Sequence, residues 1–169
     1  SIDGAFSALV YQGIAKKLLY QFKFSPYLSD LTSLLGELFY EGLIQQEAFF
    51  QAKKGTGSVF LPIPLHPSRL RSRGYNQSLL LALDLGKRFQ LPVTELLQRK
   101  KKTPTQVGLS QVERRKNMIG AFQTSLKSGK VPKTVFLVDD ILTSGATLNE
   151  AAKVLKKSGV EKVWGITLA

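Results

Sequence analysis

The stretch VFLVDDILTSGATL, residues 135–148, decides the fold. An apolar run leads into two adjacent carboxylates, Asp139 and Asp140, and then into a turn of hydroxyls and glycine. The run reads as a buried strand, bounded by the turn signals that follow it. ATLNEAAKVLKKSG reads as a helix closed by Gly159, and EKVWGITLA as a final strand. Strand, helix and strand make a right-handed crossover with a parallel sheet, so the chain is an α/β protein. In such sheets ligands sit beyond the carboxyl ends of the strands, where the acidic pair falls.

The turn Thr143–Ser144–Gly145–Ala146–Thr147 has the makings of a phosphate cradle without a lysine. Glycine permits a tight turn and leaves room for an anion. The first amides of the next helix have no intrahelical partners, and the helix dipole adds positive potential. The hydroxyls of Thr143, Ser144 and Thr147 add donors. Two neighbouring carboxylates repel each other unless hydroxyl donors or a divalent cation satisfy them. A ribose diol with a 5′-phosphate satisfies both halves at once. The competing reading is a helix N-terminus whose acidic residues merely favour the dipole.

Working outward, 169 residues suit one compact domain, expected over 1–169. Hydrophobic content of 43% and charged content of 21% exclude a disordered chain. The longest apolar string, Leu79 to Leu83, is far short of a bilayer span, and no signal-peptide pattern opens the chain, so no membrane insertion and a cytoplasmic location are expected. The absence of cysteine excludes disulfides, thiol catalysis and thiolate zinc sites, and the single His66 excludes a histidine metal cluster.

Net charge is +12 and uneven. Between Lys53 and Lys116 stand fourteen Lys or Arg against Asp84, Glu95 and Glu113, while the rest of the chain is nearly balanced. Such a block attracts polyphosphate, nucleic acid or an anionic surface. Arg69, Arg71 and Arg73 fall in what reads as a basic loop after the strand SVFLPIP. His66, flanked by Pro64 and Pro67, reads as loop-shaping rather than a proton shuttle, and Asn76 as the N-cap of a helix over NQSLLLALDLGKRFQ. Tyr75 either stacks on a base or covers a helix. Residues Ser29 to Ala52 show helical apolar spacing, with Ser29 or Asp30 as N-cap. IAKKLLYQF and SQVERRKNM read as helices, GAFSALVYQ and AFQTS as strands, VTELLQR as either, and Lys100 to Gly108 as loop.

FLVDDILTSGAT resembles the phosphoribosyl-pyrophosphate (PRPP) motif of type I phosphoribosyltransferases. That resemblance implies a central, mostly parallel sheet flanked by helices and a turn holding the 5′-phosphate. It further implies that Asp139 and Asp140 are the catalytic pair on the ribose hydroxyls, with Mg2+ bridging to pyrophosphate. PIPLHPSRLRSRGYNQ (Pro62 to Gln77) and RKKKTPTQVGLSQVERRKNMIGAF (Arg99 to Phe122) resemble the two signature segments of the ComF family, competence-associated proteins of bacteria. QFKF (Gln21 to Phe24) resembles that family's LKF segment weakly. The family usually opens with a four-cysteine zinc module. None stands in this sequence, which starts with Ser; either the chain is a fragment lacking it or this member never had one.

The resemblance implies PRPP contacts from Asp139, Asp140, the turn residues 143–147, Arg69, Arg73 and Arg99, with Mg2+ on the two aspartates. It also implies that Arg99 to Asn117 is a flap closing over the site. Arg71, Lys100, Lys101, Lys102, Arg114, Arg115 and Lys116 are candidate contacts to single-stranded DNA, with Tyr20, Phe22, Phe24, Tyr27 and Tyr75 the aromatics available to stack. Three functions follow. The first is DNA uptake in natural transformation with PRPP as ligand or substrate, alongside other DNA-uptake proteins. The second is a nucleobase phosphoribosyltransferase, against which Thr143 counts, since many purine-salvage relatives place an acid there. The third is a PRPP-sensing nucleic-acid-binding regulator without catalysis.

Overall fold

A computed structural model describes residues 1–24, 31–55, 57–103, 110–125 and 131–169. Its centre is β5 (Thr134–Asp139). This strand lies between β6 (Lys162–Thr167) and β2 (Ser58–Pro62), and β1 (Gly4–Ser7) pairs with the far side of β6, giving a sheet of order β1-β6-β5-β2. Every pairing is parallel. Beyond β2 the segment after Pro92 adds a short parallel rung, with Phe60 N donating to Pro92 O and Thr94 N to Phe60 O, both at 2.9 Å.

A parallel sheet is covered on both faces, so its strands carry continuous apolar runs. In β5, Phe136 and Val138 enter a first core, while Val135 and Leu137 enter a second. The first core is rich in phenylalanine: Phe136 lies 5.4 Å from Phe49 and 5.9 Å from Phe60, ring to ring. Its helices are α1 (Gly13–Phe24), α2 (Leu31–Ile44), α3 (Glu47–Lys53) and α5 (Gln77–Phe89). The second core packs α7 (Ala146–Lys157), through Leu148, Ala151, Ala152 and Leu155, against β5 and β6. The antiparallel pair β3 (Leu97–Arg99) and β4 (Phe122–Thr124), with α6 (Gln111–Met118) between them in sequence, closes this side. Among the described residues no helix is long and apolar enough to cross a membrane.

Two expectations change. The helical stretch before Ala52 is two helices, broken where Gln46 adopts an extended backbone (φ −103°, ψ 101°). Gln46 Nε2 donates to Gly42 O and Ser7 O, both at 3.0 Å, so one side chain ends α2 and ties the break to β1. The expected caps Ser29 and Asp30 lie outside the described residues. The second change concerns the basic loop, which is a helix, α4 (Pro67–Arg73). Pro67 suits the first helical position. His66 caps it, its Nδ1 accepting from Ser68 N at 3.2 Å. Gly74 ends it in the left-handed region at φ 85°.

Candidate functional site

Beyond the carboxyl ends of β5 and β2 lies a cleft of about 250 Å³. Asp139 ends β5, opposite Thr167 of β6, and Asp140 follows it. Both line the cleft. Asp139 Oδ1 accepts from Ser78 Oγ at 3.1 Å and from Asp140 N at 2.9 Å. Asp140 is only 3% exposed; its Oδ1 accepts from Ile141 N at 3.1 Å. Its Oδ2 lies 3.0 Å from Lys23 Nζ of α1, an ion contact not aligned as a hydrogen bond, so this buried oxygen keeps its acceptor capacity. Burial, and then the charge of Asp140, push the Asp139 carboxyl up to about 7, against the opposing pull of Lys23.

This donor set fits the partners that the pattern of residues implies. A buried carboxylate oxygen without an aligned donor is a place for a sugar hydroxyl or a hard cation. Among the described residues no group of three or more His, Cys, Asp or Glu could hold a metal alone. A Mg2+ ion on Asp139 and Asp140 would therefore take its remaining ligands from phosphate and water, as Mg2+ commonly does.

The turn into α7 is shaped by glycine. Gly145 is the N-cap, with φ 66°, and offers no capping side chain to the helix. Ser144 Oγ approaches Ala146 N only at 3.4 Å. Asn149 Nδ2 donates to Gly145 O at 3.0 Å, while Asn149 Oδ1 accepts from Ile2 N at 3.1 Å, pinning the turn to the chain's first residues. Thr143 and Thr147 line the cleft. Ser144, Gly145 and Ala146 shape the turn between them.

The basic residues divide. Arg69 and Arg73, four apart on α4, share the face that lines the cleft, whereas Arg71 is exposed. Arg73 Nη1 donates to Gln77 Oε1. Burial lowers the pKa of Arg73, and the charge of Asp140 opposes that shift. Arg99 is 8% exposed; its Nη2 donates to Thr103 Oγ1 at 2.6 Å and its guanidinium lies 5.6 Å from the Phe122 ring centre. Its Nε is buried without a hydrogen bond among the described residues. Arg69 Nη2 donates to Thr103 O at 2.8 Å, so Thr103 joins the two arginines. Arg114 also lines the cleft, apart from Lys100, Lys101, Lys102, Arg115 and Lys116, which are exposed.

The segment Arg99 to Asn117 is anchored at its base: Leu97, Met118, Ala121 and Phe122 belong to the second core, and Gly120 N donates to Glu150 Oε1 of α7 at 2.9 Å. Its middle, with Gln106 and Leu109, lies outside the described residues. Of the aromatics, Tyr75 covers a helix: its hydroxyl donates to Phe22 O, and its ring is 5.9 Å from that of Phe22. Phe22 is fully buried, and Tyr20 is 62% exposed at the cleft. Tyr27 and the Phe24 side chain lie outside the described residues. Sequence reasoning missed Ser78 and Lys23 as neighbours of the acidic pair. Ser78 follows the expected cap Asn76, and Lys23 sits inside the QFKF segment.

The family described as "Phosphoribosyl transferase domain" matches residues 76–169. The chain is 38% identical over 157 residues to Competence protein F of Haemophilus influenzae, covering 90% of this chain and 67% of that protein. It is 31% identical over 141 residues to Competence protein ComFC of Streptococcus pneumoniae, covering 83% and 58%. It is 30% identical over 151 residues to DNA utilization protein YhgH of Escherichia coli (strain K12), covering 86% and 63%. It thus spans between 58% and 67% of the length of these relatives. Among solved structures, the glutamine PRPP amidotransferase from B. subtilis complexed with ADP and GMP matches with a TM-score of 0.53 at 14% identity. That match covers 89% of this chain and 30% of the other, a likeness of fold. With the acidic pair at the end of a parallel strand, the glycine turn after it and these relatives, the chain belongs to the ComF family and carries its type I phosphoribosyltransferase fold.

Proposed function

We propose that the cleft binds PRPP with Mg2+ and that the exposed basic residues bind single-stranded DNA, in support of DNA uptake in the cytoplasm. The observation that carries the first half is the buried Asp140 Oδ2, without an aligned donor among the described residues, beside a helix N-terminus whose glycine N-cap has no side chain to offer. In this reading Asp139 and Asp140 accept hydrogen bonds from the ribose hydroxyls. The turn 143–147 and the hydroxyls of Thr143 and Thr147 hold the 5′-phosphate. Arg69, Arg73 and Arg99 supply positive charge to the pyrophosphate. Bound Mg2+ would neutralise charge growing on a leaving pyrophosphate. Guanidiniums fixed by Thr103 and Gln77 stabilise that charge without reorganising.

Arg71, Lys100, Lys101, Lys102, Arg115 and Lys116 are exposed and fit a phosphate backbone. The names of the relatives, competence and DNA utilization, favour this reading over a nucleobase phosphoribosyltransferase. Thr143 at the cleft also favours it, since a neutral hydroxyl cannot assist proton movement on a base as an acid would. Anisotropy of a labelled single-stranded oligonucleotide, titrated at rising salt, tests the DNA half. Affinity should fall steeply and linearly on a log–log plot. Affinity independent of salt would leave it without support. A pyrophosphate-release assay across nucleobases and oligonucleotides, with PRPP and Mg2+, separates transfer from sensing.

A further inference from the structure

The acidic pair already has a cation of its own. Leu19 and Phe22 are buried and anchor α1 on the first core. Lys23 stands four positions after Leu19, on the same face, so its side chain is directed to the end of the sheet. There its ammonium meets Asp140 Oδ2 at 3.0 Å, with the lysine side chain 28% exposed and the aspartate side chain 4% exposed. A buried carboxylate paired with a lysine that still touches solvent is a pair that can open.

We propose that Lys23 is a specificity-determining residue of the acidic pair: it keeps free divalent cations off Asp140, so that a cation enters only together with a phosphate-bearing ligand. The inference rests on the reading of Asp139 and Asp140 as the ligand-holding residues. Among the described residues a free divalent ion would find two carboxylates here, with no third His, Cys, Asp or Glu to complete a site. It would also meet an ammonium already in contact with one of them. Like charges at such range disfavour each other, most strongly away from bulk water. Mg2+ gives up its water reluctantly and prefers sites completed by phosphate oxygens. A phosphate-bearing ligand changes both conditions. It brings oxygens for the cation and a second anionic partner for the ammonium, and the exposure of Lys23 lets the ammonium reach it. Arg73, whose field also acts on Asp140, is held by Gln77 and remains in either state.

The test is Mn2+ binding to the ligand-free chain, read by the electron paramagnetic resonance signal of unbound Mn2+. Wild type should bind Mn2+ at least tenfold more weakly than Lys23→Met, and Lys23→Met combined with Asp140→Asn should lose the gain. Lys23→Gln, which leaves an amide to donate to Asp140, gives the same comparison if the methionine variant does not fold. Equal Mn2+ affinity in wild type and the neutral variants, including none in any of them, would overturn the proposal. PRPP binding by wild type, measured separately by equilibrium dialysis, shows independently whether the parent reading of the site holds.

Discussion

The acidic turn after β5 and the basic middle of the chain are both rich in charge, yet the fold treats them differently. Asp139 and Asp140 stand at the end of a strand buried on both faces, so strand geometry fixes their direction. The basic residues ride on α4, on β3 and α6, and on the loop after β3, whose two sides face cleft and solvent. Within seven residues of α4, Arg69 and Arg73 go inward and Arg71 outward, as a period of 3.6 dictates. A charge at the end of a central strand therefore has one fate. A charge on a surface helix has two, and only the helix phase tells them apart.

The largest expected effect tests whether the strand fixes the acids. Phe136 is fully buried at the centre of the phenylalanine core. Phe136→Ala should cost about 3–5 kcal/mol of stability, measured by urea unfolding. A loss near zero would mean that β5 is not the frame of the site.

Charge reversal sharpens the other half. Glutamate at Lys100, Lys101 and Lys102 should weaken single-strand binding by about a hundredfold or more and flatten its salt dependence, by the loss of phosphate contacts. PRPP affinity should hold. Arg73→Ala should do the reverse, weakening PRPP by about tenfold or more while leaving DNA affinity within about twofold. If both sets of changes strike both ligands equally, the division of the basic residues is wrong.

How much of this was legible beforehand follows from the same contrast. The β5–α7–β6 unit was readable because a continuous apolar run, Gly145 and Gly159 all point the same way. The N-cap role of Asn76 was readable too, and its side chain accepts from Ser78 N at 3.1 Å. Helix α4 was missed because seven residues are too few to show a period, and the break at Gln46 because a side chain reaching back to β1 leaves no local trace. Lys23 could not be placed from sequence, since its contact with Asp140 joins positions more than a hundred residues apart. In the site, the pattern named the acids and the turn. The structure added that Arg99 is buried on Thr103 and that Arg114 lines the cleft.

Smaller effects test the turn and the acids. Gly145→Ala places a side chain at φ 66°, with its Cβ about 3.3 Å from Asn149 Nδ2. It should cost about 1–2 kcal/mol and weaken PRPP in parallel. A neutral result would remove the need for glycine in the turn. The pH dependence has a definite sign. The folded Asp139 carboxyl, pushed up to about 7, binds its proton more tightly than the ordinary value of 3.8 allows. Between those values the folded chain keeps a proton that the unfolded chain has lost, so ligand-free stability should decline as pH rises through that window. Asp139→Asn should remove this component, as seen in melting temperature against pH. An unchanged slope would contradict the assigned burial of the carboxyl.

Titration calorimetry of PRPP with Mg2+ into the wild-type chain and into the Asp139→Asn, Asp140→Asn double variant tests the central claim most directly. The account predicts a saturable heat for wild type and at least a hundredfold weaker binding for the variant, with the fold retained by circular dichroism. Equal affinity in the two proteins, or no binding by wild type, would contradict it.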